Sequence, residues 1–168
     1  MTPLIEKCKN GERLSREEGL ALYDLVLLTL GTLADQRRKA LYGDKVFFNI
    51  NRHINPTNIC ADVCKFCAYS ATRKNPNPYT LTHEQILQTV SEANHRGITE
   101  VHIVSAHNPD AGLAWYLEIF SKIKKEFPHI HVKALTAAEI HFLATHYHKS
   151  YDEIIDMMIA NGVDSMPG

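Results

Sequence analysis

Three of the four cysteines of this chain stand within eight positions, in "NPTNICADVCKFCAYSA": Cys60, Cys64 and Cys67. The spacing is C-x3-C-x2-C, with the aromatic Phe66 just before the last cysteine. Thiolates are soft ligands that suit iron–sulfur clusters and zinc. Three of them can hold three irons of a [4Fe–4S] cube and leave the fourth iron open, whereas a structural zinc site closes with four ligands. No fourth ligand stands at a convincing spacing, since Cys8 is remote and His53 and His83 fit poorly. The pattern favours a cluster, with zinc and a redox or structural thiol group as the alternatives.

The rest of the composition narrows the setting. The 168 residues are 45% hydrophobic and 22% charged, an ordinary globular balance with enough apolar residues for one core. A formal net charge of −1 gives no basic field for nucleic acid. The longest apolar stretch, "LVLLTLGTLA" (25–34), is too short to span a bilayer. The N-terminus carries charges where a signal peptide needs an apolar core. These features predict a cytoplasmic protein, in which clustered cysteines bind metal or do chemistry rather than form disulfides. Cys8 reads as an ordinary thiol. His141, His146 and His148 share no helix face at ligand spacing and read as surface histidines.

The elements that must position the cysteines follow from periodicity. Residues 14–43 read as helical, with Ser15 and Glu18 at capping-box spacing, a break near Gly31 and a stop at Gly43. From Val46 the period becomes two. In "VFFNINRHIN" Asn49, Asn51, His53 and Asn55 share one face, while Phe48, Ile50 and Ile54 share the other. Helices then alternate with strands: helix 82–97 with Thr82 and Gln85 as its box, strand 100–106, helix 112–127, strand 130–136, helices 137–147 and 150–162, and a last strand signal at 163–166. Such alternation predicts an α/β fold with a parallel sheet, about four βα units of a (β/α) barrel. The expected boundaries are a helical N-terminal segment, 1–44, and the partial barrel, 45–168. A full barrel needs roughly 250 residues, so the chain reads as the N-terminal half of a larger enzyme. The cysteine loop follows the first strand, at the end where α/β barrels build active sites.

A C-x3-C-x-aromatic-C loop in that position resembles the signature of radical S-adenosylmethionine (SAM) enzymes. In that family the open iron chelates the amino and carboxylate groups of SAM, and reductive cleavage of the C5′–S bond gives methionine and a 5′-deoxyadenosyl radical. The segments "NRHINPTNICADVCKFCAYSATRKNPNPYT", "EVHIVSAHNP", "KALTAAEIHF" and "NGVDSMPG" narrow the likeness to the aminofutalosine synthase family of the futalosine route to menaquinone. The resemblance runs over essentially the whole chain, which is about half that family's length.

It implies a transferase in which the deoxyadenosyl radical adds to the enolpyruvyl double bond of 3-[(1-carboxyvinyl)oxy]benzoate. Rearrangement and loss of the carboxylate then give 6-amino-6-deoxyfutalosine, with SAM consumed as a co-substrate. Cys60, Cys64 and Cys67 would be the cluster ligands. Phe66 and Tyr69 would lie by the adenine, Ser105 and His107 by the methionine part of SAM, and Thr136 and Glu139 by the ribose. Asn51, His53, Asn55 and Arg73 are the substrate candidates. The expected partners are a small-molecule substrate and a flavodoxin- or ferredoxin-type electron donor, with no nucleic acid and no membrane. The rival readings are another radical SAM enzyme of the pathway, such as the dehypoxanthine futalosine cyclase, and a non-catalytic cluster-binding fragment.

Overall fold

The computed structural model describes residues 2–62, 64–72 and 77–168. The chain divides into two compact units, 1–48 and 49–168. The first contains helices α1 (Thr2–Asn10), α2 (Arg16–Ala21) and α3 (Leu27–Tyr42). The capping box starts α2 as the spacing predicts: the Glu18 amide donates to Ser15 Oγ, and the Ser15 amide donates to Glu18 Oε2 at 2.8 Å. Lys7 of α1 reaches Glu18 Oε1 at 2.6 Å. The predicted break at Gly31 is absent, because α3 runs straight through it. The chain breaks earlier instead, in a 3-10 turn at Leu22–Asp24 followed by extended Leu25 and Val26. A helical glycine costs only about 1 kcal/mol relative to alanine, little enough for the rest of a 16-residue helix to carry. Helix α1 lies ahead of the helical pattern at 14–43 but within the expected N-terminal helical segment, 1–44.

In the second unit, β1 (Asn51–Ile54), β2 (Glu100–Ile103) and β3 (His131–Ala134) form a parallel sheet in the order β1-β2-β3. Between and after them lie α4 (His83–Asn94), α5 (Leu113–Glu126), α6 (Ala137–Tyr147) and α7 (Tyr151–Ala160). A parallel bridge between Lys133 and Ser165 begins a fourth strand. This is the partial βα barrel the sequence predicts. Strand β1 is shorter than expected: Phe47 and Phe48 lie outside it and are exposed, leaving Ile54 as the buried anchor of that strand.

Register assigns the two faces of the sheet. Ile54, Ile103 and Ala134 stand abreast, as do Val101 and Val132, and all five belong to the core beneath the helices. Ile86, Val90, Ile119, Phe120 and Ile123 of α4 and α5 cover them, each fully buried. At roughly 1.5–3 kcal/mol per buried large side chain, this layer is what holds the strand ends in place.

Candidate active site at the C-terminal ends of the strands

The cysteine loop leaves β1 and is fastened at its base by a buried polar knot. Asn108, just past β2, donates from Nδ2 to Thr57 Oγ1 and Thr80 Oγ1, each at 3.1 Å, and its Oδ1 accepts from the Asp110 amide at 3.0 Å. Thr57 Oγ1 donates to the Tyr79 carbonyl at 2.8 Å and accepts from the Ile59 amide at 3.2 Å. Both Asn108 and Thr57 are buried. Backbone bonds continue the fastening: Ala71 N–H to Asn58 O at 2.7 Å, Cys60 N–H to Ala71 O at 3.1 Å, and Ala61 N–H to His107 O at 2.8 Å. The side chain of His107 adds to this, with Nδ1 2.6 Å from Asp62 Oδ2 and the ring stacked on Phe142 at 4.8 Å and 9°. The loop is therefore tied to the end of β2 at both backbone and side-chain level.

The ends of β2 and β3 are tied to each other through Glu139. Its Oε1 accepts from the Ser105 amide at 2.5 Å, and its Oε2 accepts from the Thr136 amide and hydroxyl, each at 2.7 Å. Thr136 and Glu139 are the capping box of α6. Leu135 precedes them with φ 58, a left-handed conformation in a fully buried branched residue. Such backbone costs of order 1 kcal/mol or more and persists where its surroundings fix it. Here the Leu135 amide is held by Ile103 O at 3.0 Å. Tyr116, buried, donates to Ser105 Oγ at 2.7 Å.

Burial pushes the Glu139 carboxyl up from the ordinary glutamate range, against the pull of the three donors around it. A carboxyl raised on folding contributes stability present in full below about pH 4 and lost as pH rises through the raised value. Glu139→Gln removes that titration and points an amide N–H₂ at a backbone donor. The variant should be the less stable protein at low pH, with the gap to wild type narrowing steadily as pH is raised in urea-unfolding measurements. A constant gap would contradict this assignment.

These anchors frame a cavity of about 380 Å³, within the size range of small-molecule sites. Cys60, Cys64, Cys67 and Tyr69 of the loop, Ser105 and His107 after β2, Thr136 and Glu139 after β3, and Asn55 after β1 all line it. Phe66 does not line it; its side chain is 93% exposed. Asn51 and His53 point to the open face of the sheet below the cavity and are exposed. Arg73 lies outside the described residues. A slightly larger cavity of about 420 Å³ in the first unit, lined by Cys8, Leu33 and Arg37 among others, contains none of the predicted site residues. Volume alone does not mark the site.

Two residues in this frame were missed in the sequence. Asp62 carries no pattern of its own, although its place between two of the cysteines was the available signal. Asn108 lies in "SAHNP", where nothing in the local pattern distinguishes a buried asparagine from a turn residue.

All four cysteines are free thiols, and Cys64 and Cys67 are exposed. The amides of Tyr69 and Ser70 and the Ser70 hydroxyl point at the Cys67 sulfur and hold its thiol below the ordinary range. A thiolate cradled by backbone donors is what a cluster requires of its ligands. Among the described residues, no three His, Cys, Asp or Glu side chains converge on a single ion. Three loop thiolates leave a four-ligand zinc site one ligand short, whereas a cube can take one thiolate at each of three irons. The donor set fits the cluster.

Comparison with known proteins agrees. The chain is 36% identical over 166 residues to aminodeoxyfutalosine synthase of Streptomyces coelicolor, covering 98% of this chain and 43% of that protein. It is 36% identical to a 5-amino-6-(D-ribitylamino)uracil–L-tyrosine 4-hydroxyphenyl transferase of a Cyanothece species, covering 100% and 46%. It is 35% identical to cyclic dehypoxanthine futalosine synthase of S. coelicolor, covering 100% and 43%. The chain thus spans less than half the length of each of these relatives. Its fold matches that of the [FeFe]-hydrogenase maturase HydG with a TM-score of 0.69 at 17% identity, covering 98% of this chain and 45% of that one. Radical SAM enzymes use a [4Fe–4S] cluster and SAM, and the profile of the Radical SAM superfamily matches residues 54–167, from the last residue of β1 to the start of the fourth strand. The chain belongs to the radical SAM superfamily.

Proposed function

We propose that this chain carries the cluster loop and part of the SAM site of an aminofutalosine synthase. The reaction is transfer of the deoxyadenosyl group of SAM to the enolpyruvyl carbon of 3-[(1-carboxyvinyl)oxy]benzoate, giving 6-amino-6-deoxyfutalosine for menaquinone. One observation carries the reading: the strand-end segments in which the resemblance resides, 105–109 and 136–142, supply Ser105, His107, Thr136 and Glu139 to the same cavity as the three cysteines.

When bound, the cluster and SAM supply one electron and a 5′-deoxyadenosyl radical. The roles of the chain itself are binding, positioning and exclusion of water. Cys60, Cys64 and Cys67 would hold three irons of the cluster. His107 and Asp62 brace the loop against β2. Glu139 locks the Ser105 and Thr136 backbones into one rim, on which the Ser105 and Thr136 hydroxyls face the cavity as SAM contacts. Tyr69 lines the cavity beside the cysteines, while Phe66, exposed on the loop, would meet the adenine only once SAM is bound. A flavodoxin- or ferredoxin-type protein delivers the electron.

A second reading is supported by the 36% identity to the tyrosine 4-hydroxyphenyl transferase over the whole chain, and a third by the cyclase at 35%. Identity does not separate them; products do. The reduced, cluster-loaded protein is incubated with SAM and, in separate reactions, the enolpyruvyl benzoate, tyrosine plus the ribitylaminouracil, and dehypoxanthine futalosine. The expected result is the aminofutalosine adduct from the first alone, with one SAM consumed per product. Turnover of either other substrate without the adduct would replace this reading.

A further inference from the structure

The face of the sheet turned away from the helices is polar at every position. Asn51 and His53 of β1, Glu100 and His102 of β2, and His131 and Lys133 of β3 all share it. Interiors of βα barrels are normally filled by branched apolar side chains in layers. A face with none cannot be packed that way, and it must meet water or a polar ligand.

The row nearest the cavity is the informative one. Register places His53, His102 and Lys133 abreast. The His53 and His102 rings meet edge to face at 5.0 Å. His53 Nε2 lies 2.8 Å from Oδ1 of Asn55, which lines the cavity, so the row is continuous with it. The ammonium of Lys133 is held from the row below by Glu100 Oε2 at 3.2 Å. An ammonium has three donors, and Glu100 accounts for one. Among the described residues, His102 Nε2 is buried with no hydrogen-bond partner, as is Glu100 Oε1. Glu100 itself is only 6% exposed, a carboxylate kept out of water to fix one lysine.

We propose that Lys133 and His102 form a carboxylate-binding subsite, with His53 as its wall, that takes the carboxylate of an aromatic acid. Under the function proposed above, on which this assignment of ligand rests, the enolpyruvyl end of the substrate must face the deoxyadenosyl group at the strand ends. The benzoate end then extends down the sheet face, towards this row. Two N–H bonds of Lys133 and one of His102 meet the carboxylate. Glu100 orients Lys133, and its own negative charge is offset by that contact.

The test uses the chain labelled with ¹⁵N at histidine, titrated with sodium benzoate and, separately, with methyl benzoate. Benzoate should shift the imidazole signals of His53 and His102 together, and methyl benzoate should not. Lys133→Gln and His102→Gln should each weaken benzoate binding at least tenfold, while Lys125→Gln on the exposed end of α5 should not change it. Folding of each variant is checked by its unchanged amide spectrum away from the row. Equal shifts with the ester would mean aromatic rather than carboxylate recognition and would overturn the proposal. So would an absence of shifts at the two histidines. The product assay is independent: benzoate bound at this row with no adduct formed would defeat the function reading alone. Adduct formed with an unchanged KM for the aryl substrate in Lys133→Gln would defeat the subsite alone.

Discussion

Cys64→Ala is expected to leave the protein unable to hold its cluster. Iron after anaerobic reconstitution should fall from about four per chain to background, and SAM-dependent turnover should be lost with it. The reason is arithmetic. Three loop thiolates serve three irons, and one iron already lacks a protein ligand. A second bare iron has no spare thiolate in the loop to replace the lost one, and the neighbouring Asp62 and His107 are already paired with each other at 2.6 Å. Cys8→Ala is the control. Cys8 lies in the first unit and lines a different cavity, so iron content should not change. Equal loss in the two variants would remove the special role of the loop.

Asn108→Ala should be the most damaging change at the site that touches no ligand. The asparagine is 2% exposed, and three hydrogen bonds end on it. At about 1 kcal/mol for each bond, with a further penalty for buried groups left short of partners, the loss comes to roughly 2–4 kcal/mol. The urea midpoint should drop with the m-value unchanged. Cluster retention should fall as well, because Thr57 and Thr80 anchor the base of the cysteine loop through this residue. A variant with wild-type stability would mean that the knot is redundant.

Much of this was legible in the sequence, and the reasons differ by residue. The cysteine spacing is local chemistry, and a local pattern suffices to read it. Strands and helices of the second unit followed from period and caps: the Ser150–Glu153 and Thr82–Gln85 boxes are both present. The Thr136–Glu139 box has the same spacing, yet Glu139 does more than cap. Its second oxygen holds Ser105, 34 residues earlier in the chain, and only the pairing of β2 with β3 brings them together. The polar face was visible in β1 through Asn51 and His53. Its continuation through Glu100, His102, His131 and Lys133 needed the register, which period alone does not supply. Gly31 shows the opposite failure, where a residue that often breaks helices was outweighed by the segment around it.

The most direct test of the central claim is the electron paramagnetic resonance spectrum of the reconstituted, reduced chain with and without SAM. The account predicts a [4Fe–4S]⁺ signal whose g-values shift when SAM is added, because SAM binds the iron that the three cysteines leave open. A cluster signal that SAM leaves unchanged would contradict the assignment of the cavity as the SAM site. Zinc in the protein as isolated, with no cluster formed on reconstitution, would contradict the reading of the cysteine loop itself.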